Sequence, residues 1–592
     1  MARGQLGGKF LGAGAHSNVQ KTTKFLLIAA LVIVAFYVSL FAYLLRPYSG
    51  LQLVYEGNGS SVAKDFFFKG EVVQLEFRDD IGGNSPLDFY LVPYGQNSSS
   101  VLVYSTTTGR SEVKFSVNTS SLPLGLYEVL AKSGGEVWNC DDPSSPYNYE
   151  RYPWLIAVMQ PFQTGQPAPG LPPLTVPYGL GVNIHFDNPN AEQQEYLRMA
   201  SLAGFKLVRM DMYLAPAYGN WTTRFAGYFP LAQEEREDGL RPLFILDEDP
   251  LPNASPNTGA WRDSYAQFAG NATLLFSPYD PVWEIWNEPN SGGAGYPFWQ
   301  GYTEADFAEA ASSAIERVAT AGGTAIAPAT AGLDPGSENW TWAFLRDLSP
   351  EALRDLAAVS VHPYRGSDPE TASADYYAFR EMIGWAKPVV CSEWGYPTEY
   401  GGYSALTQAQ YYCRMYLTDL MNGVPITVLY DLQDDGTSAS NPEDCFGLVQ
   451  SGAQTFSSGG PLNPEVSEVY FVKPSYYALF YLSYSLNGFS FCRAYVNGTP
   501  FSEVSAGRFR YMLNASSTNG QGVYLLEFRR GDSVRYVVWS TVGEVSYELP
   551  GSYFNSTAIT VSSVFGETHR VNASPSGFSL MVGETPEVIS AG

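Results

Sequence analysis

Basic residues are scarce: 34 lysines and arginines stand against 59 aspartates and glutamates, a formal charge of −25 over 592 residues. A field of that sign repels nucleic acid and anionic lipid, which sets polyanion partners aside. Cysteine is scarce too. The five (Cys140, Cys391, Cys413, Cys445 and Cys492) show no CxxC spacing and no neighbouring histidine cluster. That pattern argues against a metal centre, and nothing in the chain calls for a cofactor. An odd count leaves at least one thiol unpaired, and the sequence does not fix the pairing of the rest. The charged fraction is only 16%, while Ser, Thr, Asn, Tyr and Gly are plentiful, which implies an uncharged hydrophilic or sugar-covered exterior. Apolar residues at 45% and aromatics at 15% exclude a mostly disordered chain. The length implies two to four domains.

One stretch lacks charge altogether. Residues 25–45, "FLLIAALVIVAFYVSLFAYLL", are uncharged and, as a helix, long enough to cross a bilayer. A cleaved signal peptide has a shorter apolar core, of about 7–15 residues. Arg3, Lys9, Lys21 and Lys24 precede the segment and only Arg46 follows closely. The positive-inside rule therefore predicts a cytoplasmic tail (1–24), a single retained transmembrane helix (25–45) and the remainder outside the cell, secreted if the segment is cleaved. Eleven Asn-X-Ser/Thr sequons, from Asn58 to Asn572, all lie beyond the segment and agree with that orientation.

Residues 50–162 alternate apolar and polar positions in short runs such as "EVVQLEF" and "LDFYLVPY", which predicts an N-terminal immunoglobulin-like β-sandwich. A Pro-rich linker spans 163–177. From 178 to 488 eight apolar strands alternate with helix-period segments: 179–186, 206–212, 241–249, 282–287, 324–329, 357–362, 388–393 and 426–431 are the strands. Helices are clearest at 304–322, 407–423 and 473–488. Eight such units predict an α/β fold of the (β/α)₈ TIM-barrel type. The competing doubly wound sheet would more often carry a glycine-rich loop after its first strand, and none is present. Short alternating strands return over 489–592, predicting a C-terminal β-sandwich.

In a barrel of this kind the reactive groups sit at the C-terminal strand ends. Those ends carry His185, Arg209, Asn287 with Glu288, His362 with Tyr364, Glu393, and Tyr430 with Asp431. Glu288 and Glu393 fall after strands 4 and 7, across the mouth from one another. Two carboxyls so placed can flank one glycosidic bond, one to protonate the leaving oxygen and one to attack or to activate water. Trp394 offers a flat apolar face for a sugar ring. Asp434 and its neighbour Asp435 either bind hydroxyls or form a polar turn.

"EIWNEPN" (284–290), followed 105 residues after Glu288 by Glu393 in "SEWG", resembles the clan A retaining glycoside hydrolases of the cellulase (family 5) and β-xylosidase (family 39) kind. "LVRMD" around Arg209 and "VHPYR" (361–365) extend the resemblance, which covers roughly residues 178–490. It implies Glu288 as acid/base and Glu393 as nucleophile, with Asn287 on the sugar 2-hydroxyl and Arg209 beneath the nucleophile. Tyr364 or Tyr396 would donate a hydrogen bond to Glu393, and His362 would shape the sugar site, with His185 a weaker candidate. Arg209 as a plain core ion pair and His185 as an ordinary strand-end histidine are the simpler readings. Clan members usually carry Trp where this chain has Tyr430. The function expected is cleavage of external, β-linked polysaccharide or glycan by a cell-surface enzyme. A catalytically silent carbohydrate-binding or envelope protein on the same barrel is the alternative, or a transglycosylase using the same two acids. Oligomeric state is not legible.

Overall fold

The computed structural model describes residues 51–592 apart from 56–61, 80–84, 96–99, 108–112, 139–154, 166–168, 186–190, 215–219, 252–253, 292–296, 399–401, 437, 439, 452–467, 516–518 and 555. The tail and the apolar segment 25–45 lie outside the described residues. Among those described, no helix is long and apolar enough to cross a membrane.

The centre of the molecule is a closed barrel of eight parallel strands. We number them β1 (Leu180–Asn183), β2 (Leu207–Asp211), β3 (Arg241–Leu246), β4 (Val282–Ile285), β5 (Thr324–Ala331), β6 (Ala358–His362), β7 (Val389–Trp394) and β8 (Thr427–Leu429). β1 pairs with β8 to close the cylinder. Each strand is followed by at least one helix, and the helices over Glu304–Thr320, Ala405–Met421 and Pro474–Leu486 fall where the 3.6-residue period placed them. The first of these shows the local logic. Thr303 and Asp306 form a reciprocal capping box, and Phe307, Ala308, Ala311, Ala314, Ile315 and Val318 make one apolar stripe that faces the barrel core.

Strand side chains alternate between the barrel lumen and the helix layer. Leu207, Leu243, Val282, Ile326, Ala358, Val390, Ile426 and Val428 form a separate apolar cluster with Leu171 of the linker packed against it. Arg241, the first residue of β3, donates to Gly170 O, so the linker lies against the N-terminal strand ends. The lumen is thus closed from below, and polar groups further along the strands point to the open end.

Two β-regions flank the barrel. On the N-terminal side a three-stranded and a six-stranded sheet enclose a core of Val73, Leu75, Phe89, Phe115, Val129, Ile156 and Val158. The strand Leu155–Met159 is buried on both faces. Ile156 and Val158 enter that core, while Leu155, Ala157 and Met159 join the main cluster with Tyr476 and Tyr477 of the last barrel helix. On the C-terminal side an eight-stranded sheet packs one face on the barrel, and the paired strands Val545–Pro550 and Gly577–Val582 cover the other. Trp539 from this sheet donates to Glu370, which also pairs bidentately with Arg414, all three buried. Cys391, Cys413 and Cys492 are free thiols, and Cys140 lies outside the described residues.

Candidate active site

At the open end, Arg209 on β2 and Glu284 on β4 sit two residues beyond Leu207 and Val282 and therefore share their inward face. Arg209 is almost fully buried. Its Nε donates to Glu284 Oε2 (2.6 Å), Nη1 to Glu393 Oε2 (2.7 Å) and Asn183 Oδ1 (3.1 Å), and Nη2 to Asn287 Oδ1 (2.7 Å). Burial by itself lowers a guanidinium pKa; the charges of Glu284 and Glu393 outweigh it, so Arg209 stays a cation.

Glu393 owes its place to an irregularity. Ser392 follows Val390 in strict alternation, so Glu393 would face the helices. Between Cys391 and Trp394, however, the register of β7 on β8 slips, and Glu393 reaches the lumen instead. Its Oε1 accepts from Tyr364 Oη at 2.9 Å. Burial pushes its pKa up, but His362, Arg209 and the Tyr364 hydroxyl together hold the carboxyl below the usual glutamate value.

The end of β4 is bent in a different way. Trp286 (φ 69°), Glu288 (φ 47°) and Ala329 of β5 (φ 55°) all adopt left-handed backbone, which costs a non-glycine residue of order 1 kcal/mol or more. Hydrogen bonds hold them there. Glu288 N donates to Ala329 O (3.0 Å), and Asn290 exchanges two bonds with the backbone of Ala331 (2.8 and 2.9 Å). Strain of this kind re-aims the carboxyl: Glu288 Oε1 lies 2.9 Å from His362 Nδ1. The fully buried His362 has Ser392 Oγ at 3.1 Å on its other nitrogen. One oxygen of Glu288, one of Glu393 and a ring nitrogen of His362 all lie within 4.8 Å of one another. Such a trio has the donors for a metal ion, but Arg209 already supplies a cation to Glu393.

Asn287, Glu288, His362, Tyr364, Arg209 and Glu393 are therefore gathered in one place. Other expected residues are not. Trp394 is fully buried beneath the guanidinium of Arg365 at 5.4 Å, so it offers no face to a sugar. As the residue after the slip in β7, it points into the helix layer. Tyr396 is also buried and donates to Ser367 O (3.0 Å), leaving Tyr364 as the donor to Glu393. Asp434 is buried, accepting from Lys473 Nζ (2.6 Å) and Gly447 N (2.9 Å); it pins the loop after β8 and does not face the mouth. Asp435 takes its place at the rim, with Oδ1 2.7 Å from His185 Nδ1. Tyr430 lies beside His185 with ring centroids 5.4 Å apart. Glu284, Asn183 and Ser392 went unmarked in the sequence. Only Glu284 had a usable signal, an acid in phase with an inward valine on a buried strand.

Comparison with solved structures matches the chain to a family 39 glycoside hydrolase from the gut symbiont Bacteroides cellulosilyticus WH2. The TM-score is 0.60 at 17% identity, over 92% of this chain and 100% of that one. The chain shares the clan A glycoside hydrolase fold. A family 30 subfamily 8 xylanase, Xyn30A, from Clostridium acetobutylicum overlaps 71% of this chain and 98% of its own at 15% identity and a TM-score of 0.44. No family model and no curated protein matches the sequence. At these identities the clan A likeness is one of architecture, and the chemistry must be argued from the side chains.

Proposed function

We propose that the chain is a retaining glycoside hydrolase acting on β-linked sugars, with Glu393 as nucleophile and Glu288 as acid/base. The approach of the two carboxylates carries the reading. Their nearest oxygens lie within 4.8 Å, whereas inverting pairs stand about 6.5–9.5 Å apart to admit a water.

In the first step ionised Glu393 attacks the anomeric carbon while Glu288 gives its proton to the departing glycosidic oxygen, leaving a glycosyl ester on Glu393. In the second, Glu288 takes a proton from water, which displaces Glu393 from the same carbon and restores both acids. Arg209 and Tyr364 keep the nucleophile charged and fix its orientation at the same time. With Asn287 Oδ1 engaged by Arg209, its Nδ2 is left to donate to the sugar 2-hydroxyl, a contact that tightens in the transition state. Tyr430 and His185, on the rim, supply a stacking ring and a donor for the sugar.

The apolar segment 25–45 and the sequons beyond it support an enzyme anchored in the cell membrane with its catalytic barrel outside. Protease protection of intact cells tests that location. The chemistry is tested by incubating the purified protein with a panel of β-linked polysaccharides and aryl β-glycosides and following the first-formed anomer by NMR. Retained configuration is expected. Inverted product, or undiminished turnover by Glu393→Gln, would sink the assignment.

A further inference from the structure

We propose that His185, Asp431 and Asp435 form a binding site for a first-row divalent metal ion, such as Mn²⁺ or Zn²⁺, on the rim of the barrel. The three residues meet at the seam where β1 pairs with β8: His185 lies just past β1, and the two aspartates follow β8. His185 Nδ1 is 2.7 Å from Asp435 Oδ1 and 3.9 Å from Asp431 Oδ2. The three donor atoms all lie within 4.8 Å of one another. Bonds of about 2.0–2.2 Å hold neighbouring donors roughly 3–3.5 Å apart, so on binding the His185–Asp435 pair would part slightly and Asp431 would draw in.

The second observation is Asp431 itself. Its side chain is 2% exposed with Oδ2 facing His185 at 3.9 Å, and among the described residues its Oδ1 has no hydrogen-bond partner. Among the described residues its one ion-pair partner is His185. A buried carboxylate oxygen without a hydrogen bond is costly, and the nearby lysine acts on it only through its charge. Lys473 is committed to Asp434 (2.6 Å), Thr398 (3.3 Å) and Cys445 O (3.1 Å). Acid continues to accumulate outward, since Asp435 Oδ2 and Glu443 Oε2 stand 3.5 and 3.3 Å from the Tyr430 hydroxyl. A doubly charged ion between the histidine and the two aspartates settles this excess. The imidazole selects the class. Calcium takes six to eight oxygen donors, while mixed imidazole and carboxylate sets suit first-row metals. Three protein donors leave further positions on the ion for water or for hydroxyls of a bound sugar. The site does not depend on the hydrolase reading.

The test uses the full chain in detergent, stripped with EDTA and titrated calorimetrically with MnCl₂, ZnCl₂ or CaCl₂, with Tm recorded alongside. One Mn²⁺ or Zn²⁺ per chain is expected to bind and raise Tm, more tightly than Ca²⁺. His185→Gln and Asp435→Asn, both on partly exposed side chains, should each weaken binding at least tenfold and abolish the Tm rise while leaving the metal-free Tm nearly unchanged. Failure of both ions to bind, tighter binding of Ca²⁺, or unchanged affinity in either variant would overturn the site.

Discussion

On the β2–β4 side of the barrel mouth, Glu284 is wholly buried and its Oε2 meets the Arg209 guanidinium at 2.6 Å. On the β8 side, Asp431 is almost as deeply buried, and its nearest ion-pair partner is a histidine 3.9 Å away. The first acid belongs to a lattice of four hydrogen bonds donated by one arginine. That lattice fixes Glu393 and Asn287 in place, and in the proposed reaction none of the arrangement would have to be made during the chemical step. The second has no such lattice. Equal burial with unequal compensation separates the two acids, and it is the second that we propose to be a metal ligand.

Four measurements press on that contrast. Glu393→Gln removes the proposed nucleophile while keeping its shape, and turnover should fall by at least ~10³-fold with Tm nearly unchanged. Arg209→Met leaves Glu284 and Glu393 buried without their cation; chemical denaturation should show a loss of about 3–5 kcal/mol. Tyr364→Phe takes one charge-assisted hydrogen bond from Glu393, worth about 1.5–3 kcal/mol, and should cost roughly tenfold or more in kcat/KM. It should also shift the acid limb of the kcat/KM profile upward, because the hydroxyl helps to depress the Glu393 pKa. The sign for stability follows from the same depression. A carboxyl held below its unfolded value stabilises the fold above the ordinary glutamate range, about 4.3, and that contribution is lost as pH falls through the folded value. The smallest effect belongs to Asp431→Asn. In metal-free protein it should change the unfolding free energy by less than about 1 kcal/mol, since no partner is stranded. A loss as large as that of Arg209→Met would show that Asp431 is compensated after all.

The eight strands were legible because a parallel sheet covered on both faces must be built from continuous apolar runs, and their ends came within a few residues. The placement of Glu288 and Glu393 at the barrel mouth was legible because both fall at the C-terminal ends of such runs. The errors share a cause as well. Trp394 was misread because period-two alternation fails at the slip in β7, which turns Glu393 inward and the tryptophan outward. Asp434 and Asp435 are adjacent and chemically alike, and only the position of Lys473, 39 residues further on, commits one to the loop and leaves the other at the rim. The expectation of no metal centre, which the site proposed above would revise, rested on scarce cysteine and unclustered histidine. Neither reveals that closing β1 on β8 brings a histidine against two aspartates about 250 residues away.

The sequence by itself determined the barrel, its two β-rich flanks and the two glutamates, since strand burial and helix amphipathicity write themselves as local periods. Which neighbours those glutamates keep was decided by tertiary structure alone. The register slip in β7, the left-handed residues around Glu288 and the meeting of Arg209 with Glu284 depend on contacts between strands far apart in the chain, and such contacts leave no period to read.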